Sequence, residues 1–266
     1  MTFFKSKVIL ITGSGGGLGR YLAGAYLEAG AYVVLCDIHE ERLKAAEEEL
    51  SGKGRVFAQK VDVGDEESVK GLFKAAFNKF GRIDVVVNNA AIFDALDEYP
   101  FCFHCEEVLM PAYSSCVISV DLTGNFIVSK EAVNQFLAQE PQGGNIVNVG
   151  SIAGSKGYLA GITYTASKHA LRGMTMNIAS YYGKKGIRCN LVQPGVMDTE
   201  LYEELEGNTD TEGLNLLMGN CPGLKDGSAM VPLDKMSRLI MFLSSDSASS
   251  LNGQILNADN GAVSSA

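Results

Sequence analysis

Long hydrophobic runs, clustered positive charge and histidine are all scarce in this chain, and each shortage closes off a class of function. No apolar run approaches the ~20 residues of a membrane-spanning helix, and Met1–Lys7 lacks the apolar core of a secretory signal. The expectation is a soluble, cytoplasmic protein with no membrane partner. Lys and Arg number 22 against 31 Asp and Glu, for a net charge of −9. Neutralising a phosphate backbone needs clustered cations, so a nucleic-acid partner is not expected. Six cysteines are scattered through a chain long enough to fold without staples, which reads as reduced thiols. Only Cys102-Phe103-His104-Cys105 has metal-like spacing, and no second Cys/His pair follows it. With three histidines in all, no metal is expected.

What is present is alternation. Lys7–Thr12, Tyr32–Asp37, Val56–Val61, Asp84–Asn88, Asn145–Val149, Arg188–Val192 and Gln254–Asn257 are nearly continuous in Val, Ile and Leu. That pattern suits strands covered on both faces. Amphipathic segments lie between them. The clearest carries Val69, Leu72, Phe73, Ala76, Phe77 and Phe80 at spacings of three and four, with Asp65 placed to cap its start and Gly81 just past its end. Strand–helix alternation means right-handed crossovers, hence an α/β fold with a doubly wound, Rossmann-type parallel sheet. No linker or compositional break divides residues 1–266, so a single domain is expected. The pattern lapses at about 92–118 and 197–230, each after the carboxyl end of a strand. These read as substrate lids, with variable surface insertion as the alternative.

The first strand runs into Thr12-Gly13-Ser14-Gly15-Gly16-Gly17-Leu18-Gly19, and a helical pattern follows at Tyr21–Ala29. Glycines there let backbone approach a pyrophosphate, and the helix start offers free N–H groups to the anion. Gly13, Ser14, Gly17, Leu18 and Gly19 are therefore candidate cofactor contacts. The second strand ends at Asp37, whose carboxylate suits the two ribose hydroxyls of an adenosine and repels a 2′-phosphate. No Arg or Lys follows until Arg42, so NAD is expected in preference to NADP.

Further along stand Asn88-Asn89-Ala90-Ala91, Ser151 at the end of the fifth strand, Tyr164-x-x-x-Lys168, and Arg188-Cys189-Asn190-Leu191-Val192-Gln193-Pro194-Gly195. Together with the glycine string, these closely resemble the compact short-chain dehydrogenase/reductase family over essentially the whole chain. Chemistry alone makes Tyr164 and Lys168 a plausible unit. They sit four apart on a helix and share one face. A phenol of pKa near 10 is a poor base at neutral pH, but a nearby ammonium stabilises its phenolate. Ser151 is placed to bond the substrate oxygen. The resemblance implies hydride transfer between nicotinamide C4 and a carbinol carbon, with Tyr164 exchanging the proton and Lys168 bonding the nicotinamide ribose. It further implies that Asp62 and Val63 flank the adenine, and that Asn88 and Ala90 line the cofactor trough. Pro194, Gly195, Val196 and Thr199 should border the nicotinamide amide, and a homotetramer or homodimer is implied. Asn190 reads as structural.

Two positions depart from the family pattern. Asp121 stands where the family usually carries an Asn that helps hold a water linking the lysine to solvent, and Ala91 replaces a common Gly. An ionised Asp121 would offset the lysine's field on Tyr164 and shift the pH dependence. Asn125, four residues on, is a possible source of an amide. The substitution also keeps open a catalytically impaired scaffold or sensor. The two lapses carry net charges of −5 and −7, with Lys225 their one cation. That favours an uncharged or cationic alcohol or ketone over a phosphorylated, CoA-linked or carrier-linked one, although solvated lids would be acidic too. Apolar groups such as Phe93, Phe101 and Leu214 leave steroid, cyclic alcohol, quinone and sugar all open. An NADPH-preferring reductase is the remaining alternative.

Overall fold

A computed structural model describes residues 4–93, 115–199 and 227–263, together with 215, 218, 219 and 223. Most of both expected lids, the Cys102–Cys105 pair, Phe101 and Leu214 lie outside the described residues.

Among the described residues, seven strands form one parallel sheet in the order β3-β2-β1-β4-β5-β6-β7. They are β1 (Val8–Thr12), β2 (Tyr32–Asp37), β3 (Arg55–Lys60), β4 (Val85–Asn88), β5 (Gly144–Val149), β6 (Ile187–Pro194) and β7 (Ile255–Ala258). All seven expected strands are present, with ends that differ by one or two residues. Six longer helices accompany them: α1 (Gly17–Glu28), α2 (Glu40–Ser51), α3 (Glu66–Phe80), α4 (Asn125–Ala138), α5 (Ile162–Tyr182) and α6 (Leu233–Ser244).

Side chains alternate across each strand, so every central strand feeds two cores. Ile9, Ile11, Val33, Leu35, Val85 and Val87 face α1, α2 and α6. Val8, Leu10, Val34, Val86 and Ile146 face α3, α4 and α5. Burial on both sides is why these segments are unbroken in Val, Ile and Leu. Asp65 caps α3 by accepting hydrogen bonds from the Glu67 and Ser68 backbone N–H groups, and Gly81 ends it at φ 77°. Such a cap contributes about 1 kcal/mol. Phe77 departs from the expected apolar face: it is 40% exposed. Phe80 turns back to stack on Tyr32, with ring centroids 5.6 Å apart.

The strand order reverses direction between β1 and β4, and ligands of open α/β sheets bind at the carboxyl end of such a reversal. Three further features frame this edge. A π-helical turn at Ile118–Gly124 leads into α4. A short 3-10 turn at Ile152–Gly154 follows β5. A small cluster of Val117, Ile152, Ala153, Leu159, Ala160, Ala229 and Val263 packs around Tyr164.

Candidate active site

The turn between β1 and α1 crosses the reversal point. Gly13 has φ +62°, and a methyl added to it would stand 2.8 Å from the Ala90 Cα. A methyl on Gly19 would collide with the Gly13 carbonyl oxygen. Both positions need glycine for that close approach. The helix α1 starts at Gly17, earlier than the apolar pattern indicates, with no side-chain cap and no acidic residue in its first turn. Its leading N–H groups thus remain available to an anion.

The loop is held from two sides. Asn89 Nδ2 donates to the carbonyls of Thr12 (2.9 Å) and Gly13 (3.0 Å). Thr12 Oγ1 in turn accepts from the backbone N–H groups of Asn89 and Ala90. Across the sheet, Asp37 accepts from the Gly15 N–H through Oδ2 and from the His39 N–H through Oδ1, each at 2.9 Å. These bonds fix the direction of the carboxylate at the end of β2.

A cleft of ≈ 520 Å³ runs along this edge. Gly13, Gly17, Leu18, Asp37, Asp62, Val63, Ala90, Ser151, Tyr164, Lys168, Pro194, Gly195 and Thr199 all line it, so most of the expected site residues meet in one place. Ala91, Ile92, Phe93 and Cys116 line the same cleft. Arg42 and His39 do as well, beside Asp37, although sequence distance had set Arg42 aside. The first turn of α2 carries it back to the carboxylate.

Four expected cofactor contacts lie elsewhere. Asn88 points into the core rather than the trough, donating to Ser129 Oγ and Asn148 Oδ1. Its Nδ2 satisfies two buried acceptors, which costs less than leaving those groups unpaired. Ser14 is fully buried and stitches the loop to β2 through the Cys36 backbone. Gly19 backs the loop from behind. Val196 lines a neighbouring groove with Gly17 and Leu233, and its carbonyl accepts from the Val231 N–H. Asn190 is structural as expected, bonded through its side chain to Leu251 and Gln254.

The polar centre is tightly packed. Lys168 Nζ lies 5.0 Å from the centroid of the Tyr164 ring, and Phe93 meets that ring edge-on with centroids 4.9 Å apart. Ser151 Oγ accepts from the Ala153 N–H at 3.1 Å, a bond that leaves its own proton free to donate. Gln193 Nε2 donates to the Ser151 carbonyl at 2.9 Å and Gln193 Oε1 accepts from Ser155, which anchors the serine's backbone. Asp121, a catalytic candidate from sequence through its expected effect on the lysine's field, does not line the cleft. It stands behind Lys168, with Oδ2 2.9 Å from Nζ. Asn125 Nδ2 reaches the Asp121 backbone carbonyl at 3.0 Å, not the lysine. Burial pushes the Asp121 carboxyl above the usual range, and the Lys168 charge pulls it partly back.

Sequence reasoning missed Asn89 and Gln193. Both sit inside segments singled out for their pattern, but their partners are distant in the chain and only the fold supplies them.

An uncapped helix start, a glycine turn that tolerates no methyl, and an oriented carboxylate at one end of a cleft define a dinucleotide-binding α/β protein. At the other end stand a Tyr–Lys pair and a serine, side chains chemically able to exchange a proton. Comparison with known proteins agrees: the family described as short chain dehydrogenase matches residues 7–210. The chain belongs to that family, whose members are oxidoreductases that use a nicotinamide cofactor. It is 35% identical over 263 residues to a short chain dehydrogenase/reductase, dpchG, of Colletotrichum higginsianum, covering 98% of this chain and 95% of that one. It is 32% identical to 3beta-hydroxysteroid dehydrogenase 2 of Eggerthella lenta, covering 96% and 94%. Among solved structures, levodione reductase superposes with a TM-score of 0.83 at 29% identity, over 97% of this chain and 98% of that one.

Proposed function

We propose that the protein is an NAD-dependent oxidoreductase that interconverts a secondary alcohol and its ketone, with Tyr164 as the general acid and base. The observation that carries this reading is the convergence of Ser151, Tyr164 and Lys168 in the same cleft as the glycine turn and Asp37. When bound, a nicotinamide dinucleotide supplies the two-electron donor or acceptor. Everything else falls to the chain's own side chains. The turn at Gly13–Gly19 and the start of α1 hold the diphosphate, with Gly13, Gly17 and Leu18 in contact. Asp37 accepts from the adenosine ribose, and Val63 and Asp62 flank the adenine. Ala90 lines the trough, while Pro194, Gly195 and Thr199 border the amide.

At the reacting end, Ser151 donates to the substrate oxygen and fixes its direction. Tyr164 takes the carbinol O–H proton during oxidation and returns it during reduction. Lys168 bonds the ribose of the nicotinamide half and stabilises the phenolate. The exclusion of water around Tyr164, by Phe93 and the apolar cluster beneath it, strengthens that field. The hydroxysteroid dehydrogenase and levodione reductase relatives support a secondary alcohol or ketone as substrate. The acidity of the segments around 92–118 and 197–230 supports one that is uncharged or cationic.

Arg42 beside Asp37 favours a second reading, an NADPH-preferring reductase, because a guanidinium there can meet a 2′-phosphate. A homotetramer or homodimer in the cytoplasm belongs to the same proposal. Exposed Phe126 on α4 and Ile162, Met176 and Tyr181 on α5 support such an assembly. Among the described residues, no helix is long and apolar enough to cross a membrane.

The test is an absorbance assay of reduced cofactor with NAD and NADP, across hydroxysteroids, cyclic alcohols, polyols and amino alcohols. NAD-dependent turnover of an uncharged or cationic alcohol supports the reading. Preference for NADP, or for acyl-CoA or sugar phosphates, contradicts it.

A further inference from the structure

Asp121 holds two things at once. Its Oδ2 faces Lys168 Nζ at 2.9 Å, and its Oδ1 accepts the Ile92 N–H at 2.7 Å. Both members of the ion pair are sealed from solvent, at 1% exposure for Lys168 and none for Asp121. Ile92 is followed by Phe93, whose ring packs on Tyr164, while Lys168 approaches that ring 5.0 Å from its centroid. One carboxylate therefore braces both neighbours of the tyrosine. The π-helical turn makes this possible by carrying Asp121 inward, with its carbonyl satisfied by Asn125.

The two bonds ask for different chemistry. An amide at position 121 could accept from Ile92, but only an anion can offset the charge of the ammonium. Resting on the assignment of Tyr164 and Lys168 above, we propose that Asp121 is a positioning residue with two separable roles. Its charge sets the pH at which the Tyr164–Lys168 pair gives up its proton, and its Oδ1 tethers Ile92–Phe93 against Tyr164.

The direction follows from electrostatics. The Tyr164–Lys168 pair loses one proton to become reactive. Whichever of the two groups releases it, a neighbouring anion opposes the loss. The other ionisable groups near the turn are few. On α5, Lys168 and Tyr164 face this side, Arg172 one turn further bonds the Gly154 carbonyl and Ser155 Oγ, and the chain before the turn contributes Cys116. Lys130 of α4 points outward to Glu66, and Asp62 and Asp65 of the loop after β3 are exposed. Removing the anion should move the pair's titration to lower pH by about one unit or more, even at an effective dielectric near 20.

Asp121→Asn and Asp121→Ala separate the roles. The first readout is the tyrosinate absorbance of the cofactor-free protein against pH, taken as the difference from the matching Tyr164→Phe protein. Asp121→Asn should lower the midpoint by about one unit. A midpoint within about 0.2 units of the parent would overturn the charge role. The second readout is KM for a turned-over alcohol. Asp121→Ala, which also loses the tether, should raise it about threefold or more above Asp121→Asn, a difference of one hydrogen bond. Equal KM values in the two variants would overturn the tether. Because the absorbance needs neither cofactor nor substrate, a protein that turns over no alcohol fails the functional reading while the charge role is still decided.

Discussion

Replacing Asn89 with alanine isolates the contribution of loop order to cofactor binding. The side chain makes two hydrogen bonds, to the Thr12 and Gly13 carbonyls, and both serve to hold the glycine turn in its positive-φ form. Each such bond is worth about 0.5–1.5 kcal/mol net, so losing both costs about 1–3 kcal/mol. The rest of the frame survives, because the Asn89 N–H still donates to Thr12 Oγ1 and the sheet registers on either side do not involve the side chain. The cost therefore falls on the fraction of molecules whose turn is ready to receive the diphosphate. Apparent affinity drops in proportion to that fraction, so the Kd for NADH should rise about 5- to 150-fold. Fluorescence titration of NADH with parent and variant measures it, and thermal melts check that both are folded. Asn89→Asp should be worse, since a carboxylate cannot donate and faces two carbonyl oxygens. Unchanged Kd values in both variants would refute the idea that this amide orders the cradle.

Two further outcomes follow from the same geometry. Asp37→Asn removes a negative charge from the part of the cleft that Arg42 also lines, so on the proposed reading the ratio of NADPH to NADH affinity should rise about tenfold or more, which paired titrations would read. An unchanged ratio would mean that Asp37 does not choose the nucleotide. Burial pushes the Cys189 thiol up to about 12 and raises Cys36 as well, whereas Cys116 is exposed. At pH 8 only about one Cys189 in ten thousand is a thiolate, and that fraction grows only as pH climbs toward the raised value. Brief alkylation of the native protein, read by mass spectrometry, should label Cys116 well before Cys189 or Cys36. Comparable labelling would contradict the burial.

The sheet was legible because burial on both faces leaves a signature in composition: Val8–Thr12 and Tyr32–Asp37 admit almost nothing polar except at the ends that reach the cleft. The start and stop of α3 were equally plain, since Asp65 and Gly81 act on their own neighbours. Misreadings arise where a side chain answers to something distant in sequence. Asn88 turns inward because Asn148 and Ser129, on other elements, wait for its amide. Phe77 looked like a core residue from spacing alone, yet it sits at the margin of the face that α3 buries. Position 121 was noticeable as a departure from a family pattern. That its carboxylate meets Lys168 directly depends on a π-helical turn, which no local propensity announces.

The most direct measurement is NADH affinity and alcohol turnover in Tyr164→Phe, side by side with the parent. The phenol oxygen is the only group removed, and the ring still fills its place against Phe93 and Lys168. NADH should bind within about threefold of the parent, and turnover should fall about 10²- to 10⁴-fold, the usual worth of a positioned acid–base group. Turnover that survives the change would contradict Tyr164 as the proton carrier, and with it the assignment of this cleft to alcohol and ketone chemistry.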